Sequence, residues 1–377
     1  MPKTKIHELA EIGQSLWLDN MSRSMIEHGK LKSLIDQGLR GQTSNPTIFK
    51  QAIAQSTDYD DKIVSLTESG KKTFDIYDEL TVRDVQDACD LFKGVYQSTD
   101  GLDGYVSLEI NPHLANTYEA QRDEGLRLWQ KVNRPNLMIK VPGTKQGCRV
   151  VSDLLSQSVN VNVTLIFSAE QYQDVAWAYL SGMKQLLGKT KDLSKVRSVA
   201  SVFISRIDTA VDKLIDAKMA VASDGGLKEN LENLKGRAAV ANSEIIFHKY
   251  GQIFSSPEFK TLEASGAYPQ RVLWASTGTK NSKYSDIKYV TELIAKPTVN
   301  TLPDKTLEAF LDHGIAKIAM PSDVAVAQKA IQDLRAQGID VGVVCLKLLE
   351  EGLVAFDQSF DELTSSIEEK AKRLTVR

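Results

Sequence analysis

The sequence predicts an α/β fold: a single (β/α)8 TIM-type barrel with extra helices, including a C-terminal helical extension. Three observations predict it. Eight short strand-like runs recur along the chain, separated by helix-like stretches. Within several of those runs polar residues occupy every second position. After Pro303 the pattern turns wholly helical, ending in AVAQKAIQDLRAQG and FDELTSSIEEKAKRL. We read residues 1–377 as one barrel domain, with about 304–377 a helical part packed on it.

The runs, in order, are SLWLDNMS (15–22), GLRGQTSN (38–45), YVSLEI (105–110), LMIKVP (137–142), NVNVTLIF (160–167), VRSVASVF (196–203), RVLWAST (271–277) and TVNTLP (298–303). Helical patterns between them include LANTYEAQRDEGLRLWQKV, SAEQYQDVAWAYLSGMKQLLG and SDIKYVTELIA, and the insert 51–103 reads as more than one helix. Strands buried on both faces are usually continuous apolar runs. Here Val106, Leu108 and Ile110 oppose Ser107 and Glu109, while Val161, Val163 and Leu165 oppose Asn160, Asn162 and Thr164. Leu16 and Leu18 likewise oppose Trp17 and Asp19, and Lys140 opposes Ile139 and Val141. In a barrel the apolar set lies under the helices and the other set points inward. Asp19, Glu109, Lys140, Asn162 and Thr164 then converge on the C-terminal mouth, where such barrels build active sites. Read singly, each could equally cap the next helix.

Composition narrows the classes. The chain is 42% hydrophobic and 25% charged, ordinary globular usage, and 46 basic against 49 acidic residues leave a net charge of -3. Such a balance carries no nucleic-acid footprint and no strong attraction to a membrane surface. Cys89, Cys148 and Cys345 are scattered without a CxxC, which argues against disulfides and zinc. MPKTKIHELAEIG lacks an apolar leader core, and no run approaches ~18 consecutive apolar residues. A reduced, soluble, cytoplasmic protein is expected.

Lys140 poses the sharpest question, because it places an ammonium inside LMIKVP, just before Pro142 and Gly143. It could snorkel from a strand end. Alternatively, a lysine held among apolar neighbours loses proton affinity and becomes an amine nucleophile. Other motifs dissolve on inspection. SGMKQLLGKT has five residues between its glycines where a Walker A loop has four, and it ends a helical pattern. Asp58, Asp60 and Asp61 resemble half a calcium loop but read better as a solvated turn. His7, His28, His113, His248 and His313 show no metal-ligand spacing.

GQTSNPTIF (41–49) decides between these readings. Its Asn-Pro makes a rigid turn that fixes an amide at the mouth. With IKVPGTKQG it resembles the two signature regions of the transaldolase family. LWLDNMS, VSLEI, NVNVTLIFS, ASVFISR and LWAST occur in the family's order, so the resemblance runs from Leu16 to at least Ser276. The length and C-terminal helices resemble the longer bacterial subgroup.

The resemblance implies a (β/α)8 barrel whose essential lysine lies on the fourth strand, matching Lys140. That lysine forms a Schiff base at C2 of a ketose phosphate such as sedoheptulose 7-phosphate or fructose 6-phosphate. Cleavage releases an aldose phosphate, and the retained dihydroxyacetone unit passes to a second aldose phosphate, in the non-oxidative pentose phosphate pathway. The protonated imine is the electron sink, so no metal or organic cofactor is implied. Asp19 matches the carboxylate that moves the C4 hydroxyl proton, and Glu109 and Thr164 match the pair holding a catalytic water. Asn45 and Asn162 match the amides that orient the dihydroxyacetone hydroxyls, Ser201 and Phe203 line the sugar, and Arg206 binds phosphate. In isolation Arg206 could equally form a salt bridge at a helix start. Where the shorter transaldolases carry a second phosphate-binding arginine this chain has Gly278 in WASTGTKNSKYS. Ser276 and Lys280 are the candidates to replace it, with a glycine-rich loop opening a helix; a solvated loop lysine is the alternative. Expected partners are small-molecule sugar phosphates, with no nucleic acid, no membrane, and a homodimer as the candidate assembly. Two alternatives remain: a fructose 6-phosphate aldolase-type lyase, whose members are shorter and generally carry tyrosine at the Phe203 position, and a non-catalytic sugar-phosphate-binding barrel.

Overall fold

The computed structural model describes residues 3–375. Eight strands close into a barrel in chain order: β1 (Gln14–Asp19), β2 (Gly41–Thr43), β3 (Tyr105–Glu109), β4 (Leu137–Pro142), β5 (Val161–Ile166), β6 (Ser198–Phe203), β7 (Arg271–Ala275) and β8 (Thr298–Leu302). All pair in parallel, and β8 returns to β1 with Trp17 opposite Thr301. The (β/α)8 expectation holds, because helices alternate with strands and cover the outward faces. An ideal Cβ at Gly125, in the helix Tyr118–Val132, would sit 3.5 Å from Ile139, which places that residue outward.

The interior is layered. At the N-terminal floor, Arg271 donates to Ser15 and to Asp103, each at 2.9 Å, and Ser15 donates to Asp103 at 2.8 Å. Above this plug lie Trp17 and Tyr105, with ring centroids 6.4 Å apart. Room for the indole comes from the neighbouring strand: a Cβ at Gly41 would fall 2.5 Å from the Trp17 ring. The topmost layer carries the polar set that the alternation pointed to.

Alternation breaks once. Leu165 has φ +58°, and the β5–β6 register shifts between Val163 and Ile166. Leu165 therefore does not stay with Val161 and Val163; it borders a space shared with Glu109 and Phe356. A bulge of this kind re-aims a side chain at a barrel rim. SDIKYVTELIA is helical only over Lys288–Thr291, and the C-terminal region is interrupted by irregular chain over 314–323. Asp60 and Asp61 open the helix Asp60–Glu68 instead of forming a solvated turn, since carboxylates favour a helix N-terminus. The insert does hold more than one helix, Asp60–Glu68 and Thr73–Ser98. Among the described residues, no helix is long and apolar enough to cross a membrane.

The final helix, Val341–Thr375, spans 35 residues and lies across the mouth. Lys370, only 7% exposed, donates to Asp60 at 2.7 Å, and Ser359 meets Thr47 at 2.9 Å. Phe360 packs edge-on to Tyr77 at 5.1 Å, and His113 meets Asp361 at 2.8 Å. At Gly352 a Cβ would lie 3.0 Å from Leu165, so that turn seats on the bulge.

The layer at Gly41 gives a direct test. Gly41→Ala forces a methyl into the Trp17 indole, and overpacking of this kind costs about 1–3 kcal/mol. A lower urea midpoint at unchanged m value is expected; an unaltered midpoint would show that the indole shifts without penalty.

Candidate active site

The mouth holds a cavity of about 320 Å³ whose lining includes Asp19, Asn45, Lys140, Thr164, Ser201, Phe203, Arg206, Ser276 and Lys280. Nine of the eleven residues singled out in the sequence thus share one cavity wall. The other two, Glu109 and Asn162, lie beside Lys140: the strand register sets Glu109 opposite it on β3 and Asn162 opposite it on β5.

Lys140 is 4% exposed. Its ammonium donates to the Ser44 carbonyl at 3.1 Å and stands 3.6 Å from Glu109 Oε2. Burial with one nearby carboxylate is not the setting of a snorkelling lysine. Burial pushes the Glu109 carboxyl up to about 7, with Lys140 opposing the shift. Glu109 Oε2 and Thr164 Oγ1 are both buried without a hydrogen-bond partner among the described residues. Unpartnered polar atoms are rare inside proteins and call for a reason; two of them beside one lysine fit a pair that shares a water with the reacting group. Glu109 and Phe356 also border a small space of about 10 Å³ next to the main cavity.

Asp19 ends β1 and accepts from Thr43 Oγ1 at 2.7 Å, while that hydroxyl lies 2.8 Å from Thr301 Oγ1. Burial raises the Asp19 carboxyl above its ordinary range; the charge of Lys140, the Thr43 hydrogen bond and the charge of Lys280 pull it back down. Asn45 caps the helix Pro46–Gln55, its Oδ1 accepting from the Ile48 amide at 3.0 Å, with Pro46 in the first turn. The cap fixes the side chain on the cavity wall, as the Asn-Pro reading required. Asn162 is fully buried: its Nδ2 donates to Ser107 Oγ at 3.0 Å, and its Oδ1 accepts from Ser201 Oγ at 2.6 Å. The structure therefore does not bring Asn162 to the cavity wall, and Ser201 is turned toward its amide.

Two cations border the mouth. Among the described residues, no carboxylate lies within 4.0 Å of Arg206 or Lys280. Arg206 sits with Cζ 5.7 Å from the Phe203 ring, and burial lowers its proton affinity, with Glu351 acting the other way. Lys280 is exposed. The expected helix at Gly278 is absent: the chain runs irregularly from Ser276 to Ile287. Arg206 lies in the first turn of the helix that follows β6, at Ser205–Val221. Ser276 has φ +55° and brings its hydroxyl 3.2 Å from Ser205 Oγ. Left-handed conformations at non-glycine residues concentrate at such functional positions.

Some of the wall was not foreseen. Thr43 and Thr47 lie within the TSNPT stretch and Thr301 holds an inward position on β8, so motif and alternation could have found them. Phe356 could not be found that way. It comes from the final helix, faces Lys140 at 5.9 Å from ring centroid to Nζ, and belongs to no motif near the barrel strands.

Comparison with known proteins agrees with this geometry. Residues 16–367 match the model of the family described as transaldolase/fructose-6-phosphate aldolase, which extends the likeness beyond Ser276 into the final helix. A protein named transaldolase from Trichodesmium erythraeum is 44% identical over 371 residues, 98% of each chain. One of the same name from Saccharopolyspora erythraea is 42% identical over 369 residues, covering 97% of this chain and 98% of its own. Another from Thiobacillus denitrificans is 42% identical over 363 residues, 96% of this chain and 98% of its own. With a closed barrel and a buried lysine on its fourth strand, the chain belongs to the transaldolase/fructose-6-phosphate aldolase family.

Proposed function

We propose that this chain is a transaldolase that moves a dihydroxyacetone unit between sugar phosphates through a Schiff base on Lys140. The observation that carries the reading is Lys140 buried in the mouth with the Glu109 carboxylate at ion-pair distance; that Oε2 and the Thr164 hydroxyl have no hydrogen-bond partner among the described residues. The amine must shed a proton before it attacks the ketose C2 carbonyl, and Glu109 is the carboxylate within ion-pair reach. Attack gives a carbinolamine. Loss of its hydroxyl as water needs a proton donor, which a carboxyl poised near 7 supplies at neutral pH.

The imine then withdraws electrons from the C3–C4 bond. Asp19 takes the C4 hydroxyl proton, the bond breaks, and the aldose phosphate leaves with its new carbonyl. The electron pair remains on the bound three-carbon unit as an enamine, which attacks the carbonyl of the incoming aldose phosphate while Asp19 returns the proton. Hydrolysis of the new imine frees the product. Asn45 orients the three-carbon unit, and Arg206 with Lys280 holds the phosphate, a point charge helping a bidentate fork. A requirement for an aldose acceptor separates this reading from a lyase.

Incubation with fructose 6-phosphate and borohydride should add a reduced three-carbon mass to the peptide containing Lys140. Lys140→Arg should fold and take no label, since guanidinium stays protonated; labelling of Lys145 would overturn the assignment.

Glu109→Gln should slow imine formation about 10²-fold and remove a titration near pH 7 from its rate profile. Stability offers a second readout. The fold raises this carboxyl above its ordinary 4.5, so its contribution is fully present below that pH and is lost as pH rises through about 7. The variant should lose less stability across this window than the wild type. An unchanged rate profile would remove Glu109 from the proton path.

Arg206→Ala should raise KM for phosphorylated sugars strongly and Lys280→Ala should raise it less, with capture of free dihydroxyacetone unchanged in both. If Lys280→Ala matches wild type while Arg206→Ala is crippled, the phosphate rests on Arg206 without that lysine.

A further inference from the structure

The end of the barrel opposite Lys140 holds a separate cavity of about 180 Å³, bordered by Arg197, Arg271, Met138, Val199, Tyr268 and Leu102. These residues come from the beginnings of β4, β6 and β7 or from the loops that lead into strands, so the cavity lies beneath the barrel floor. Its charges do not balance. Arg271 is neutralised by Asp103 at 2.9 Å. Arg197 is only 6% exposed, and among the described residues no carboxylate lies within 4.0 Å of it. Its terminal nitrogens donate to the carbonyls of Ser194, of Val196 at 3.2 Å and of Asp100 at 3.3 Å. Its Nε is buried without a hydrogen-bond partner among the described residues. Asp192 at the surface feels the charge only from a distance. Burying an ion without a counter-ion is expensive, and neutral carbonyls compensate only part of it.

Size and chemistry then describe the complement. A cavity of about 150 Å³ lined by aliphatic and aromatic groups is large enough for benzene, and this one is somewhat larger. Met138 and Val199 supply buried apolar wall, while Leu102 and Tyr268, at 39% and 37% exposed, form an apolar rim facing solvent. Tyr268 is stacked on Arg197, with Cζ 3.7 Å from the ring centroid, which holds the guanidinium plane in place. One uncompensated positive charge calls for a monoanion, and the apolar wall calls for a body that is not itself hydrated.

We propose that this floor cavity is a second binding site, which takes a small carboxylate with a flat apolar body, its carboxylate on Arg197. Benzoate is the probe, and benzyl alcohol its uncharged counterpart. With the protein labelled at its methionine methyl groups, the Met138 signal (assigned through Met138→Leu) reports binding by NMR. Benzoate should shift it saturably, and benzyl alcohol should bind at least ~10-fold more weakly, the loss expected for one charged hydrogen bond. Arg197→Gln should weaken benzoate by a similar factor and leave borohydride trapping at Lys140 unchanged. The comparison of the two probes on wild-type protein stands even if that variant fails to fold. A Met138 signal unmoved by tens of millimolar benzoate overturns the proposal. So does equal binding of the alcohol, or a stronger response to inorganic phosphate than to benzoate.

Discussion

An ammonium 3.6 Å from a carboxylate, both nearly out of water, is the arrangement on which the mouth depends. Neither charge would be stable there alone, because desolvation penalises each and only the partner repays part of that. The pair also leaves Glu109 poised between its two protonation states at neutral pH. Barrel geometry makes this possible: parallel register sets Glu109, Lys140 and Asn162 side by side on three strands, so the carboxylate cannot drift away. Everything else in the mouth, from the Thr43 hydrogen bond to Asp19 to the cap at Asn45, places groups relative to that fixed pair.

The layers beneath supply the rigidity. The Arg271–Asp103–Ser15 cluster plugs the floor, and Trp17 against Gly41 and Tyr105 fills the middle. Strands packed so tightly offer few alternative registers, and a register slip of one residue would send Lys140 outward. Rigid layers below suit chemistry that requires several groups to be held in place at once.

Much of this was legible in the primary structure, and the reason is periodicity. A two-residue alternation states which side chains face inward without any knowledge of their partners, and it groups Asp19, Glu109, Lys140 and Thr164 on one face. The Asn-Pro pair pointed to an amide held at the mouth, and the cap on the next helix is how the fold holds it. Legibility stopped where tertiary context took over. The positive φ at Leu165 answers to the final helix at Gly352, far away in sequence. The helix expected at Gly278 does not form, and the chain stays irregular as far as Ile287. Asn162 kept its inward position, yet neighbouring serines took up its amide, and alternation cannot reveal how a polar atom is satisfied.

Phe356 lies on a helix that follows all eight strands in the chain, yet it faces the nucleophile. Synthesis from the N-terminus therefore makes every strand and every carboxylate of the mouth before it makes the segment that covers them. One wall of the site thus belongs to a helix that no strand dictates, so closing the barrel and covering Lys140 are two separate tasks for the fold.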